Sequence, residues 1–218
     1  QALFAGDRGR RLNVRRWRGA REAPLFSALV RDDVAAGEAL VDGGGDVRLF
    51  RGYLEPSRAD EILATLRAGT PWVQERRKMY DRFVDVPREH ASQGDDRATP
   101  WSPQLAQLRR ELEEALNARF AFVLLNRYRS GSDSVAWHSD REVQGLRNPV
   151  IASLSLGATR AFDLRPKNER KRVISVDLEH GDLIVMRGET QDNWEHRVAK
   201  DRRVSGERIN LTFRQQPE

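Results

Sequence analysis

The sequence predicts a mainly β protein with flanking helices (α+β) and a double-stranded β-helix (jelly-roll) or related barrel as its core. Eight short runs rich in β-branched and aromatic residues follow Phe120, with turn residues between them. Two amphipathic helical patterns precede these runs. The length of 218 residues suits one large β-barrel domain.

The first part of the chain has a different texture. Residues 1–46 are rich in arginine and end in the Gly-rich stretch Asp42-Gly43-Gly44-Gly45-Asp46. We interpret residues 1–46 as an extension with a linker, and residues 47–218 as the folded domain.

Two helices are predicted before the β-rich part. Ser57, with Asp60 three residues later, is expected to cap a helix that stops at Gly69. The second helix follows Ser102-Pro103 and places Leu105, Leu108, Leu112 and Leu116 on one stripe.

Residues 72–88, between the helices, predict a hairpin that turns near Asp81 and carries Met79, Tyr80 and Phe83 around its tip. The eight predicted strands are Phe122–Tyr128, Val135–His138, Val150–Leu156, Arg160–Leu164, Arg172–Leu178, Asp182–Met186, Trp194–Val198 and Arg208–Arg214.

Composition narrows the classes of function. Lys and Arg number 38 against 33 Asp and Glu, a balance that suits a polyanionic partner and equally a merely well-solvated basic surface. The chain has no cysteine, which excludes disulfides, thiolate zinc sites and cysteine nucleophiles. We expect a protein without a membrane partner that is cytoplasmic, and nucleoid-associated if bacterial, or nuclear or organellar if eukaryotic; a monomer is favoured, although the sequence does not determine the oligomeric state.

His138 and Asp140 are two residues apart, so in a strand their side chains share one face. His196, in a later predicted strand, would add a second imidazole. Two histidines and a carboxylate with open positions are the ligand set of non-haem Fe(II) oxygenases. A hydrogen-bonded surface pair is the alternative explanation for the His-x-Asp spacing alone.

The last predicted strand carries a polar face. Arg208, Asn210, Thr212 and Arg214 alternate with apolar residues, as in any half-buried strand with one side in water. Two arginines with an amide and a hydroxyl between them also suit a dicarboxylate co-substrate.

Taken together, several motifs resemble the AlkB family of Fe(II)/2-oxoglutarate dioxygenases, and the resemblance spans roughly Val47 to Arg214. The motifs are Asn126-Arg127-Tyr128, His138-Ser139-Asp140-Arg141-Glu142, Ile151-Ala152-Ser153-Leu154-Ser155-Leu156-Gly157, His180-Gly181-Asp182-Leu183, Trp194-Glu195-His196 and Arg208-Ile209-Asn210-Leu211-Thr212-Phe213-Arg214. The resemblance implies that His138, Asp140 and His196 bind Fe(II), and that Asn126, Tyr128, Arg208, Asn210, Thr212 and Arg214 hold 2-oxoglutarate. Arg214 would pair with the distal carboxylate.

The family's reaction is oxidative demethylation of N-alkylated bases, which consumes 2-oxoglutarate and O2 and releases succinate, CO2 and formaldehyde. By the same resemblance, the partner would be nucleic acid, with single- or double-stranded DNA favoured, and the hairpin resembles that of the branch that repairs duplex DNA. Met79 and Tyr80 would then enter the base stack, Arg88 would support the gap, and Glu142 would face the damaged base.

One segment departs from the family. Relatives carry aromatic residues after Pro-Arg that form a base-stacking lid, whereas this chain runs from Ser92-Gln93-Gly94-Asp95 to Pro100-Trp101 within a few residues. Either the lid is absent or residues outside this chain restore it, and Trp137 and Trp101 are the candidates to replace it.

Two other functions remain open from the sequence. The same oxygenase chemistry would also fit RNA or a protein side chain, as a missing lid allows. A non-catalytic, nucleic-acid-binding jelly-roll with a vestigial metal site belongs to another class, and the complete set of ligand residues argues against it.

Overall fold

The computed structural model describes residues 37–79, with Met79 by its backbone only, 81–140, 143 and 145–215. The elements, in chain order, are β1 Glu38–Ala39, β2 Asp46–Phe50, α1 Pro56–Gly69, β3 Arg76–Met79, β4 Arg82–Asp85, β5 Glu89–Gly94, α2 Pro103–Leu116, β6 Phe122–Tyr128, β7 Val135–His138, β8 Val150–Gly157, β9 Arg160–Pro166, β10 Ile174–Leu178, β11 Leu183–Arg187, α3 Thr190–Asn193, β12 Trp194–Val198 and β13 Arg208–Arg214.

Two antiparallel sheets form the core and confirm the predicted jelly-roll. The major sheet has seven strands in the order β1-β2-β11-β8-β13-β6-β5, and the minor sheet has four in the order β10-β9-β12-β7. Most neighbouring strands, such as β2 and β11 or β8 and β13, come from distant parts of the chain, as in a jelly-roll. All eight strands predicted after Phe120 are present, with bounds that differ by at most two residues.

The helices cover one face of the major sheet. The leucine stripe of α2 is buried, and it packs with Ile62 and Leu66 of α1 against Leu211 and Phe213 of β13. The prediction that Ser57 caps α1 is wrong, because the cap position is Glu55 and Pro56 opens the helix. Proline suits the first turn because its missing N–H has no partner there in any helix.

The other face of the major sheet looks toward the minor sheet. Ile151, Phe162, Leu164, Met186 and Trp194 belong to the apolar cluster that the two sheets enclose. The polar face of β13 lies on this side because Ile209, Leu211 and Phe213 belong to the helix-side cluster, and side chains alternate along a strand. All seven residues of β13 are buried, so its polar face lies inside the protein and not in water.

The expected boundary between residues 46 and 47 differs from the structure. Glu38 and Ala39 pair with β2, and the Leu40 amide donates to the carbonyl of Val47 at 2.9 Å. Leu40 and Val41 pack on the inter-sheet cluster. Residues 37–46 therefore belong to the domain and are no free linker, whereas residues 1–36 lie outside the described part of the chain.

The predicted hairpin is present as the two-stranded sheet of β3 and β4, in which Met79 pairs with Arg82. All four residues of β4 are exposed, and Phe83 has 63% of its surface accessible. The base of the hairpin is held by the backbone pair Val73 and His90 and by the Gln74 side chain, which donates to the Val86 carbonyl at 3.2 Å. The hairpin thus projects from the domain with an apolar ring uncovered.

Within the described residues, no helix has both the length and the apolar character that crossing a membrane requires.

Candidate metal and co-substrate site

A cavity of about 240 Å³ lies between the two sheets. Its polar lining comes from five strands (β6, β7, β8, β12 and β13), from the two residues that follow β7 and from the residue that precedes β5: Arg88, Asn126, Tyr128, His138, Ser139, Asp140, Ser153, His196, Arg208, Asn210, Thr212 and Arg214. Its apolar lining is Leu124, Val135, Phe162, Met186 and Val198. Polar residues thus outnumber apolar ones in the lining by twelve to five, so the cavity suits a polar ligand.

His138, Asp140 and His196 meet at one end of this cavity. Their candidate ligand atoms all lie within 4.8 Å of one another. The carboxylate Oδ1 of Asp140 is 3.7 Å from His138 Nε2 and 3.9 Å from His196 Nε2. Antiparallel pairing brings the histidines together, because His196 of β12 is the partner of His138 of β7 and an irregularity in register follows them.

The protonation of these groups suits metal binding. Burial lowers the pKa of His196 to about 4, so its imidazole is neutral at neutral pH. His138 Nδ1 lies 2.9 Å from the carbonyl oxygen of Ala136, an acceptor, which places the proton on Nδ1 and leaves the Nε2 lone pair available. Burial acts to raise the pKa of Asp140, but the charge of Arg214 and the two histidines outweigh burial and lower this pKa.

Asp140 is held by two neighbours and keeps one oxygen for a ligand. Arg214 Nη2 donates to Asp140 Oδ1 at 2.8 Å, and the Asp140 amide donates to Gln191 Oε1 at 2.7 Å. The buried Oδ2 has no hydrogen-bond partner among the described residues. A buried carboxylate oxygen without a partner is costly unless a cation binds it, so this ligand set fits a divalent metal such as Fe(II).

The polar residues of β13 form a hydrogen-bonded row. Arg208 Nη2 donates to Asn210 Oδ1 at 2.8 Å, and Asn210 Nδ2 donates to Thr212 Oγ1 at 2.8 Å. Arg208 Nε donates to Ser155 Oγ at 2.8 Å, while its buried Nη1 has no partner among the described residues. Burial lowers the pKa of Arg208 to about 10, which still leaves the guanidinium charged at neutral pH. An anionic ligand would satisfy Nη1.

Tyr128 and Asn126 approach this row from β6, the strand paired with β13. Burial raises the pKa of Tyr128, so its phenol is protonated at neutral pH, and the guanidinium carbon of Arg208 lies 5.4 Å from the centre of its ring. Asn126 Oδ1 accepts a hydrogen bond from Arg88 Nε at 2.9 Å. The structure therefore brings all nine residues expected for metal and co-substrate to one cavity, and it places Arg88 on the cavity wall.

The two arginines differ from expectation in their placement. We expected Arg214 at the distal carboxylate of the co-substrate, but its guanidinium contacts Asp140 at the metal end. Arg208 contacts Tyr128 and Ser155 instead and is six residues away along β13, a distance of about 20 Å along an extended strand. Arg208 is therefore the arginine at the far end of the cavity.

Some predicted residues are not at the cavity. Trp101 stacks on Phe213 on the helix side of the major sheet, with ring centroids 6.1 Å apart, so it does not replace a lid. Trp137 lies beside the guanidinium groups of Arg165 and Arg197, 4.1 and 4.5 Å from its ring centre, and is not among the lining residues. Tyr80, Glu142 and the Met79 side chain lie outside the described part of the chain.

The segment between β5 and α2 is short. The Gly94 amide donates to the Thr99 carbonyl at 3.1 Å, which closes a turn, and α2 begins at Pro103. None of residues 92–102 lines the cavity. The described structure thus contains no aromatic lid in this segment.

Sequence reasoning missed Gln191, which holds the Asp140 amide, and Phe162, whose ring lies 5.3 Å from that of His196. Gln191 sits in α3, a single turn of helix that carries no apolar periodicity. Only the proximity of Gln191 to Trp194-Glu195-His196 would have pointed to it.

The cavity, its three candidate metal ligands and its polar row are typical of non-haem Fe(II) oxygenases. Comparison with known proteins confirms this class of enzyme. The family model described as the 2OG-Fe(II) oxygenase superfamily matches residues 46–214, and the chain belongs to this superfamily. Its enzymes use Fe(II), 2-oxoglutarate and O2. Within it, the chain is a member of the AlkB family, as its relatives show.

Two human relatives illustrate this. "Alpha-ketoglutarate-dependent dioxygenase alkB homolog 3" from Homo sapiens is 36% identical over 212 residues, covering 89% of this chain and 74% of the relative. "DNA oxidative demethylase ALKBH2" from Homo sapiens is 32% identical over 179 residues, covering 72% of this chain and 69% of the relative.

The fold is also similar to a solved structure titled "The structure of OsALKBH1", with a TM-score of 0.60 and 19% identity over 80% of this chain and 99% of the other. A 2OG-Fe(II) oxygenase family oxidoreductase from Burkholderia pseudomallei gives a TM-score of 0.56 at 13% identity, over 92% of this chain and 95% of the other. These two likenesses support the fold.

Proposed function

We propose that the protein is a DNA demethylase that removes N-linked methyl groups from damaged bases. The observation that carries this proposal is one cavity with an unsatisfied carboxylate oxygen beside two imidazoles at one end and an unsatisfied guanidinium N–H at the other. The similarity to relatives adds support for DNA as the substrate, since one of them is a DNA oxidative demethylase.

The residues have the following proposed roles. His138, Asp140 and His196 hold Fe(II), and Arg214 orients Asp140 through their 2.8 Å hydrogen bond. Arg208 and Tyr128 bind the distal carboxylate of 2-oxoglutarate, with Asn126, Asn210 and Thr212 along its length. This proposal gives Arg208 the role at the distal carboxylate that the sequence suggested for Arg214.

The bound metal supplies the oxidising chemistry, in which O2 and 2-oxoglutarate convert the methyl group to a hydroxymethyl group with release of succinate and CO2. The hydroxymethyl group then breaks its C–N bond, so that formaldehyde leaves and the base nitrogen regains a proton. The chain contributes orientation and exclusion of water: Leu124, Phe162 and Met186 form an apolar wall beside the ligands.

The exposed hairpin supports a nucleic-acid partner. Its strands carry Arg76, Arg77, Lys78 and Arg82, and it presents Phe83 to solvent. Cationic side chains beside an exposed ring suit contact with phosphates and bases. We propose that Met79 and Tyr80 at its tip enter the base stack, that Arg88 lines the route from hairpin to cavity, and that Glu142 faces the base.

The test is turnover on matched substrates. Duplex DNA, single-stranded DNA and RNA of one sequence, each with one N-methylated base, are incubated with enzyme, Fe(II) and 2-oxoglutarate, and formaldehyde and succinate are measured. We expect turnover on DNA. Turnover on RNA alone, or on none of the three, would contradict the proposal, and the first result would establish the RNA alternative.

A further inference from the structure

Arg160 of β9 is a buried cation with an unusual set of partners. Only 2% of its surface is accessible. Its Nη1 donates to the carbonyl of Ser130 at 3.1 Å, and its Nη2 donates to the carbonyls of Asp133 at 2.8 Å and Ala199 at 2.7 Å. All three are backbone oxygens, so the hydrogen bonds tie two loops together without neutralising the charge.

The carboxylates near Arg160 are paired elsewhere. Asp133 forms an ion pair with Arg129 at 2.8 Å, and Asp201 forms one with Arg203 at 2.8 Å. Among the described residues, no acidic side chain lies within ion-pair distance of Arg160. A buried charge without a counter-ion is costly, and proteins keep one where a ligand supplies the opposite charge.

Arg160 and Arg208 both lie beside the ring of Tyr128. The guanidinium carbons of Arg160 and Arg208 are 5.6 and 5.4 Å from the ring centre of Tyr128, a residue of the cavity wall. Arg208 has no acidic partner within ion-pair distance among the described residues either, and 1% of its surface is accessible. This end of the cavity therefore concentrates two buried positive charges around one tyrosine.

We propose that Arg160 is a positioning residue that makes this end of the cavity selective for a 2-oxo acid with a second carboxylate. This inference rests on the proposed binding of 2-oxoglutarate between the metal ligands and Arg208. Arg160 does not line the cavity, so it acts across Tyr128: its charge attracts the distal carboxylate, and its hydrogen bonds fix the loops behind the tyrosine.

The loops that Arg160 ties are closely interlocked. The Gly131 amide donates to the Val204 carbonyl at 2.7 Å, and the Asp201 amide donates to the Gly131 carbonyl at 2.8 Å. The Ser134 amide donates to the carbonyl of Pro87 at 2.8 Å. Arg160 thus closes the cavity end by joining residues 130–134 to residues 199–204.

The experiment separates charge from structure by using two ligands. Binding of 2-oxoglutarate and of 2-oxopentanoate, which has the same chain length but no distal carboxylate, is measured by calorimetry on protein loaded with Mn(II). The variants are Arg160→Gln, Arg160→Lys and, as a matched control, Arg187→Gln. Arg187 is a partly buried arginine, and burial lowers its pKa as it lowers that of Arg160. Arg187 is not among the residues that line the cavity.

We expect R160Q to weaken 2-oxoglutarate binding about tenfold or more, as loss of a unit charge several ångströms away implies at an effective dielectric of about 20. Binding of 2-oxopentanoate should not change, and R187Q should change neither. In turnover, R160Q should raise the KM for 2-oxoglutarate more than it lowers kcat. Equal weakening of both ligands, or of neither, would overturn the inference.

R160K keeps the charge and loses the planar fork, so it covers the case in which R160Q does not fold. R160K should retain the preference for 2-oxoglutarate while its melting temperature falls, and loss of that preference would overturn the inference. Wild-type protein without any preference would overturn the co-substrate assignment and this inference together, whereas a preference that is undiminished in R160Q would overturn the inference alone.

Discussion

The two arginines of β13 illustrate what single residues contribute. Arg214 touches a metal ligand and Arg208 touches Tyr128, although both belong to the same polar face of one strand. Each guanidinium is buried, so each contributes mainly to the ligand at its own end of the cavity.

We predict that substitution of each arginine affects the binding of a different ligand. Arg208→Gln should weaken 2-oxoglutarate binding by about 10- to 100-fold, the range for a lost charge-assisted hydrogen bond, and leave Mn(II) binding unchanged when 2-oxoglutarate is absent. Arg214→Gln should alter Mn(II) affinity because Asp140 loses its orienting donor. Calorimetry with each ligand measures both effects. Weaker 2-oxoglutarate binding in R214Q but not in R208Q would restore the distal role that the sequence suggested for Arg214.

The second residue-level prediction concerns pH. Burial lowers the pKa of His196 from 6.5 to about 4, so the folded metal-free protein binds fewer protons than the unfolded chain in this window. Stability should therefore be intact above about pH 6.5 and fall toward pH 4, by on the order of 3 kcal/mol at most.

Urea denaturation of protein treated with a chelator, at several pH values, measures this slope. His196→Asn is the control and should show a shallower slope between pH 6.5 and pH 4. An identical slope in both proteins would show that other groups cause the acid sensitivity.

The sequence predicted residues that lie together in one cavity but not their places within it. Alternation along β13 predicted that Arg208, Asn210, Thr212 and Arg214 share a face, and the structure confirms that they line one cavity. Which arginine meets the metal depends on how β13 lies relative to the residues after β7. Distances along the sequence carry no information on that relation.

At the scale of elements, the hairpin and the eight strands after Phe120 were predicted, whereas β1, β2, β5 and α3 were not. β5 has the sequence Glu-His-Ala-Ser-Gln-Gly, without a β-branched residue, and it is a strand because it pairs with β6. α3 has four residues and β1 has two, which is too short for any periodicity. Tertiary pairing, not local propensity, produces these elements.

The hairpin of β3 and β4 gives an element-level prediction. Replacing Met79 and Tyr80 with alanine should lower kcat/KM on methylated duplex DNA by about tenfold or more, because a base must leave the stack and unstacking costs a few kcal/mol. Activity on single strands should stay within about twofold, since no stack has to be opened. Val173→Ala, another exposed apolar position, is the control. Equal losses on both substrates would remove the hairpin's proposed role.

The interlocked loops, residues 130–134 and 199–204, give a second element-level prediction. A Cβ at Gly131 would overlap the carbonyl oxygen of Asp201, a backbone atom that cannot move without separating the loops. Gly131→Ala should therefore destabilise the protein by about 2–4 kcal/mol and weaken 2-oxoglutarate binding. Thermal melting checks the first effect, and Gly43→Ala, where nothing lies within 4 Å of the added carbon, should melt like the wild type. Wild-type stability in G131A would show that the loops separate freely.

At the scale of the whole molecule, hydrogen bonds connect the hairpin that is proposed to bind DNA with the cavity that is proposed to bind 2-oxoglutarate. At the base of the hairpin, the carbonyl of Pro87 accepts a hydrogen bond from the Ser134 amide. In the same loop, the Asp133 carbonyl accepts a hydrogen bond from Arg160, which lies beside Tyr128. The sheets enclose the metal ligands at the other end of the same cavity. One chain of contacts therefore runs from the exposed hairpin to the proposed 2-oxoglutarate site.

The central claim is that this cavity couples 2-oxoglutarate oxidation to demethylation of DNA through His138, Asp140 and His196. The most direct measurement is the amount of formaldehyde and succinate formed from one N-methylated DNA oligonucleotide by the wild type and by Asp140→Ala. We predict equal amounts of the two products from the wild type and neither from the variant. Undiminished product formation by D140A, or succinate without formaldehyde from the wild type, would contradict the account.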